Sequence, residues 1–233
     1  MLIDLNYCVG CDACTIACKE SQGTPPGILF SHVIHAETGS YPDAILQHMP
    51  MLCMHCENPA CVDICPTGAS KKYDDGTVGI DHDLCIGCKN CMPSCPYDAR
   101  EYLSVGYDGY FSRYNLATTE DRVNAADFSE ISLTTQFGFT LQEEQMYERF
   151  AGNKVYKCDF CASRRAEGLE PACVQACPAG ARIFGDLEDP DSDVAKAVKE
   201  RNAVRYREAE GTKPGVYYVP RVDFEGNVVQ AVE

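Results

Sequence analysis

The sequence predicts an α+β chain in which short strands and helices fold around metal centres. Two observations carry this expectation: sixteen cysteines fall into four tight groups of four, and the strand and helix signals between those groups are brief. A length of 233 residues allows one or two compact domains with cores of their own.

In chain order, the first group is Cys8-x2-Cys11-x2-Cys14-x3-Cys18, and the second is Cys53-x2-Cys56-x4-Cys61-x3-Cys65, closed by Pro66. The stretch from Lys71 to Ile80 follows. Its Asp75-Gly76 turn, set between short Tyr, Val and Ile stretches, predicts a β-hairpin. The third group is Cys85-x2-Cys88-x2-Cys91-x3-Cys95 with Pro96, and the fourth is Cys158-x2-Cys161-x11-Cys173-x3-Cys177 with Pro178. Arg182 to Phe184 reads as another short strand. Asp189-Pro190-Asp191-Ser192 supplies cap residues for a helix with Val194 and Val198 on one face and Ala197 beside them.

The 62 residues from Pro96 to Lys157 hold no cysteine but twelve of the 22 aromatics. A disordered linker would be aromatic-poor, so this segment is expected to fold and to pack over the cysteine core. Leu141 to Phe150 has few breakers and is read as helical.

The groups repeat one another. Cys8-Val9-Gly10-Cys11 recurs as Cys85-Ile86-Gly87-Cys88, and Cys65-Pro66-Thr67-Gly68-Ala69 recurs as Cys177-Pro178-Ala179-Gly180-Ala181, which points to duplication of a smaller module. Tight grouping speaks against a disulfide framework, which spreads its partners along the chain. The chain opens on Met1-Leu2-Ile3-Asp4 with no basic or apolar leader, so the expectation is maturation in a reducing compartment.

Zinc is the competing metal. It takes two Cys-x2-Cys pairs a loop apart, whereas the first and third groups carry three cysteines at three-residue intervals and a fourth four residues later. That is the ligand run of bacterial two-cluster ferredoxins, in which the fourth cysteine crosses to the other cluster. Gly10 and Gly87 supply the tight turn such a loop needs, and the prolines after the fourth cysteines have no N–H to leave unpaired beside a cluster.

Charge and hydropathy exclude other classes. A formal charge of −15 argues against nucleic acid, which needs a basic face. No run reaches the roughly 18 to 20 apolar residues that span a bilayer. No Ser-His-Asp set, carboxylate pair or phosphate-cradling glycine loop stands out, so the chain is expected to carry no substrate chemistry of its own.

The order and spacing of the four groups, including the wide fourth one, resembles the four-cluster iron-sulfur subunit of molybdopterin oxidoreductases in the dimethyl sulfoxide reductase family. The resemblance spans nearly the whole chain. It extends to Lys157-Cys158-Asp159-Phe160-Cys161, Pro171-Ala172-Cys173-Val174, Phe184-Gly185-Asp186-Leu187-Glu188-Asp189-Pro190 and Lys213-Pro214-Gly215-Val216-Tyr217-Tyr218. Gly39-Ser40-Tyr41-Pro42 and Cys53-Met54-His55-Cys56-Glu57-Asn58-Pro59 lean toward the arsenate and polysulfide reductase and pyrogallol or catechol branches.

The resemblance implies four 4Fe-4S clusters with crossed ligands: Cys8, Cys11, Cys14 and Cys177 for the first; Cys53, Cys56, Cys61 and Cys95 for the second; Cys65, Cys85, Cys88 and Cys91 for the third; Cys18, Cys158, Cys161 and Cys173 for the fourth. It also implies two ferredoxin-like units, an outer one of residues 1–52 and 157–187 with an inner one of 53–96 inserted into it. An aromatic-rich insertion of 97–156 and a C-terminal extension of 188–233 complete the chain. Such a subunit passes single electrons between a large catalytic subunit, which binds a molybdopterin guanine dinucleotide with molybdenum or tungsten, and a membrane subunit or cytochrome. The cluster of Cys8, Cys11 and Cys14 would lie nearest that catalytic cofactor. Without a leader of its own, the chain would live in the cytoplasm or be exported folded with a partner bearing a twin-arginine signal. A polyferredoxin of a hydrogenase or formate dehydrogenase is the rival within this class, and a zinc-stabilised interaction module the rival outside it. Lys19 stands where the other groups have proline and would bring a positive charge near a cluster. His55, inside a cysteine loop, is read as support for that loop rather than a proton carrier.

Overall fold

The computed structural model describes residues 1–25, 27–42, 44–104 and 150–221. Its elements are short, as the sequence predicts, and half of those in the described residues are strands of two or three residues. Strand β1 (Leu2–Asp4) is the centre of the largest sheet. It pairs in parallel with β10 (Tyr217–Val219), Leu2 opposite Tyr217, and antiparallel with β8 (Arg182–Ile183), Leu2 opposite Ile183. A fourth strand, β9 (Val204–Arg205), pairs with β10, giving the order β8-β1-β10-β9. Sequence-distant strands are thus locked by a fully apolar start: Met1, Leu2 and Ile3 are all buried.

Helix α1 (Ala13–Gln22) leads from the first cysteine group to a hairpin of β2 (Ser31–Thr38) and β3 (Ile45–Leu52), in register from Ser31–Leu52 to Thr38–Ile45. The hairpin is buried at its base, and Tyr218 Oη donates to the carbonyl of Pro50 at 2.8 Å, tying it to the large sheet. The one-turn helix α2 (Ala60–Asp63) precedes the hairpin foreseen around Asp75-Gly76, β4 (Ser70–Lys72) against β5 (Val78–Ile80), with Gly76 at φ +75° in its turn. Strands β6 (Glu101–Leu103) and β7 (Lys154–Tyr156) pair antiparallel and flank the long segment 105–149. Tyr97, Phe150 and Tyr156, at the ends of the aromatic-rich stretch, are buried in the main core. Residues 105–149 of that stretch, which include all but the last residue of the helix expected from Leu141 to Phe150, lie outside the described residues.

Short helices α3 (Ala162–Ala166) and α4 (Ala172–Gln175) carry the fourth group, and α4 packs on α1. The expected strand after Cys177 is β8. The expected helix after Asp189 is α5 (Asp193–Glu200), capped by Ser192, whose Oγ accepts from the amide of Ala195 at 3.2 Å. Val194 and Ala197 of α5 are buried against Leu2, with Val198 packed beside them. Among the described residues no helix is long and apolar enough to cross a membrane.

Candidate metal centres

None of the sixteen cysteines is in a disulfide; eight are buried, six are half-buried, and Cys11 and Cys88 are exposed. Cys14, Cys18, Cys53, Cys158 and Cys173 belong to the same apolar cluster as Met1, Ile3 and Tyr218. Cys14 and Cys18 lie one turn apart on α1 and are both buried. The loops of the first and third groups turn on glycines in the left-handed region, Gly10 at φ +66° and Gly87 at φ +69°. Neither position has room for a side chain: a Cβ on Gly10 would lie 2.4 Å from the ring of His48, and one on Gly87 2.0 Å from the carbonyl oxygen of Asn153.

The Cys-Pro turns aim backbone N–H groups at sulfur. The amide of Ser70 donates to Cys65 Sγ at 3.4 Å and that of Ala181 to Cys177 Sγ at 3.3 Å; outside these turns, the amide of Phe160 donates to Cys158 Sγ at 3.4 Å. Proline fixes the first turn position in Cys65-Pro66 and Cys177-Pro178, and Gly68 and Gly180, both at positive φ, close each turn on the cysteine carbonyl.

Folding gathers thiols from different sequence groups. One pocket, partly open to solvent, is lined by Cys8, Cys11, Cys14 and Cys177. A second, similarly open, is lined by Cys65, Cys85, Cys88 and Cys91. Cys18 has Cys173 and Cys161 as thiol neighbours, and Cys158 has Cys18, Cys173 and Cys53. Cys56 is surrounded by Cys53, Cys61 and Cys95. Among the described residues no three His, Cys, Asp or Glu side chains converge on one point to hold a single ion; the thiols surround space instead.

Electrostatics tests whether a cluster fits these sets. Burial, then repulsion from neighbouring thiols, drives Cys18 and Cys158 far above the ordinary thiol range. Burial likewise pushes Cys56 up to about 12, against a hydrogen bond from Thr212. Cys65 is the contrast: burial would raise it, but the amides of Ser70, Thr67 and Ala69 and the Thr67 hydroxyl bring it down to about 7. Thiols packed this way ionise together only around a strongly cationic centre, which is what an iron-sulfur core supplies. The amides aimed at sulfur and the cysteine-lined cavities fit the same group.

Four polar side chains frame the sets. His55 is buried and stacked on Phe160 at 3.7 Å, and its Nδ1 accepts from the amide of Val78 at 2.9 Å. Burial, then Lys157 and Arg165, hold it well below the ordinary imidazole range, so it is neutral and braces its loop. Lys19 donates to the carbonyls of Thr24, Pro25 and Ile28 and to the Thr24 hydroxyl, at 2.9–3.2 Å, and so organises the chain after α1. Its charge also lies beside Cys18, which offsets part of the loss that burial imposes. Arg100 and Arg182, buried beside the thiols, were not singled out from sequence. The signal was present, since Cys95-Pro96-Tyr97-Asp98-Ala99-Arg100 and Cys177-Pro178-Ala179-Gly180-Ala181-Arg182 share one pattern.

Comparison with known proteins agrees with this geometry. A family model described as a 4Fe-4S dicluster domain matches residues 44–105 and 143–187, and a second of the same description matches 7–69. The chain is 36% identical over 226 residues to the arsenate respiratory reductase iron-sulfur subunit ArrB of Shewanella sp. (strain ANA-3), covering 94% of each chain. It is 35% identical to a selenate reductase subunit of Mesobacillus selenatarsenatis, covering 94% of this chain and 70% of that one. It is 36% identical to a sulfite dehydrogenase subunit of Allochromatium vinosum, covering 95% and 82%.

Proposed function

As a member of the iron-sulfur subunits of molybdopterin oxidoreductases, the chain is an electron-transfer subunit that leaves substrate chemistry to a catalytic partner, and we propose that it holds four clusters on crossed ligands. Each bound 4Fe-4S cluster supplies a centre that accepts and returns one electron at a time. Cys8, Cys11, Cys14 and Cys177 form the first site; Cys53, Cys56, Cys61 and Cys95 the second; Cys65, Cys85, Cys88 and Cys91 the third; Cys18, Cys158, Cys161 and Cys173 the fourth. The single observation that carries this reading is the gathering of thiols from different sequence groups around shared spaces. Helix α1 explains the crossing at one junction, because Cys14 and Cys18 on successive turns serve two adjoining sites.

Neighbour relations also order the sites. Cys14 of the first site lies beside Cys173 of the fourth, and Cys158 of the fourth beside Cys53 of the second. Cys61 of the second and Cys91 of the third both adjoin Arg100. The sites therefore run first, fourth, second, third. On this reading the outer unit (1–52 and 157–187) holds the first and fourth sites and the inner unit (53–96) the second and third, with 97–156 an insertion and 188–233 an extension. The first site faces a catalytic subunit carrying a pterin cofactor with molybdenum or tungsten, and the third faces a membrane subunit or soluble carrier.

Anaerobically prepared protein should contain about sixteen iron and sixteen sulfide per chain, four of each per site. Bound zinc with about twelve iron, persisting after reconstitution, would remove one site from the scheme. Cys18→Ala should abolish the same electron paramagnetic resonance signal as Cys173→Ala and spare the one lost in Cys11→Ala. Loss of a common signal in Cys18→Ala and Cys11→Ala would refute the crossing.

A further inference from the structure

Two buried cations outside every ligand set stand where sites meet. Arg182 lines the cavity of Cys8, Cys11, Cys14 and Cys177, and its charge lies beside both Cys14 and Cys173. Arg100 lines the cavity of Cys65, Cys85, Cys88 and Cys91, and its charge lies beside Cys61, Cys91 and Cys53. They are 4% and 2% exposed. Each is held by one serine: Arg182 Nη2 donates to Ser31 Oγ at 3.4 Å and Arg100 Nη1 to Ser70 Oγ at 2.8 Å. Nη1 of Arg182 and Nη2 of Arg100 meet no oxygen or nitrogen acceptor among the described residues, and the guanidiniums turn instead to thiols, Arg182 to those of Cys14 and Cys173 and Arg100 to those of Cys61 and Cys91.

A buried guanidinium nitrogen without an oxygen or nitrogen acceptor is costly, and its persistence calls for a partner in the neighbouring site. Arginine suits that task because it stays charged when buried and presents five donors in a rigid fork, so one side chain can serve two anionic groups. Lys157, at the junction of the fourth and second sites, differs: its Nζ donates to the carbonyls of Val78 and Cys158. The duplication behind the cysteine groups accounts for the matched placement. Both arginines follow the last cysteine of their group by the same Cys-Pro-x-x-Ala-Arg spacing, Arg182 opening β8 and Arg100 standing one residue before β6, whereas Cys65-Pro66-Thr67-Gly68-Ala69 is followed by Ser70, the residue that holds Arg100.

We propose that Arg182 and Arg100 each share one guanidinium between two adjacent clusters, Arg182 between the first and fourth and Arg100 between the second and third, so that each arginine sets the potentials of its pair together. The proposal rests on the four-site assignment above. Reduction adds negative charge to a cluster, and a fixed cation in a low-dielectric core stabilises the reduced form. A cation common to two clusters also screens each from its reduced neighbour. The four-site chain is in this way two tuned pairs joined at a junction where Lys157 is bound to the carbonyls of Val78 and Cys158.

The test is a redox titration followed by electron paramagnetic resonance on the intact, cluster-loaded protein, with signals assigned from the single cysteine variants. Iron near the full complement and four signals in the unsubstituted protein establish the sites, so failure there strikes the assignment and not the arginines. With the sites established, Arg182→Met should lower the potentials of the first and fourth clusters together, by about tenfold in the reduced-to-oxidised ratio at fixed potential, or about 59 mV for a one-electron couple. The second and third should hold their values. Arg100→Met should do the reverse. Arg182→Lys, which keeps the charge without the fork, should shift the same pair by a smaller amount, and Ser31→Ala, which frees the guanidinium, should shift that pair alone. These two variants decide the matter if the methionine variant binds less iron. A shift confined to one cluster, an equal shift of all four, or none at all would overturn the proposal.

Discussion

Gly87 illustrates how tightly single residues are fixed around the sites. Its φ of +69° disfavours any L side chain by roughly 1–2 kcal/mol. The carbonyl oxygen of Asn153, 2.0 Å from where a Cβ would stand, adds a backbone clash that no rotamer relieves. Gly68 has a similar φ of +66° but open space around it. Gly87→Ala should therefore lose the cluster of Cys65, Cys85, Cys88 and Cys91, about four iron per chain, while Gly68→Ala keeps the full complement. Iron analysis of the two variants separates strain alone from strain with a clash. The two arginines were missed at this scale for a plain reason: an isolated arginine in a sequence reads as surface charge, and only its burial beside thiols gives it meaning.

Helix α5 is the element whose energetics are most local. Ser192 Oγ caps it by accepting from Ala195 and also donates to the carbonyl of Asp186 at 2.5 Å. Ser192→Ala should cost about 1 kcal/mol, and hydrogen exchange of the α5 amides should accelerate about fivefold with no loss of iron. This helix and the Asp75-Gly76 hairpin were legible because their signals are local: cap residues in one case, turn chemistry in the other. The hairpin of β2 and β3 was not read, since it lacks an Asn-Gly or Asp-Gly turn and carries His32, His35, His48 and Pro50 among its apolar residues. The sheet order β8-β1-β10-β9 was equally hidden, because residues 2–4 pair with 182–183 and 217–219. Spacing points to the cysteine runs proposed as ligands. Which groups are proposed to share a site came only through resemblance, for the same reason that long-range pairing escapes local reading.

At the scale of the whole molecule, metal and fold depend on each other. Buried cysteines share the main core with Met1, Ile3, Phe150 and Tyr218, so removing the clusters leaves a core lined with unpaired, desolvated thiols. Oxidative destruction of the clusters should collapse the far-ultraviolet circular dichroism and open trypsin cleavage after Arg182, which is buried in the folded protein. Persistence of the native spectrum would mean that apolar packing alone suffices. The central strand β1 carries a further consequence, for biosynthesis. A ribosome delivers residues 2–4 well before their sheet partners, 182–183 and 217–219. Cys177, which lines the cavity of Cys8, Cys11 and Cys14, emerges some 160 residues after Cys14, roughly 8 to 33 s later at ordinary elongation rates. The first thiols must wait open and reduced through that interval. On the proposed assignment the first and fourth sites and the closure of the sheet therefore wait for residues 173–177 and 217–219, whereas the second and third sites have all their cysteines once Cys95 is made.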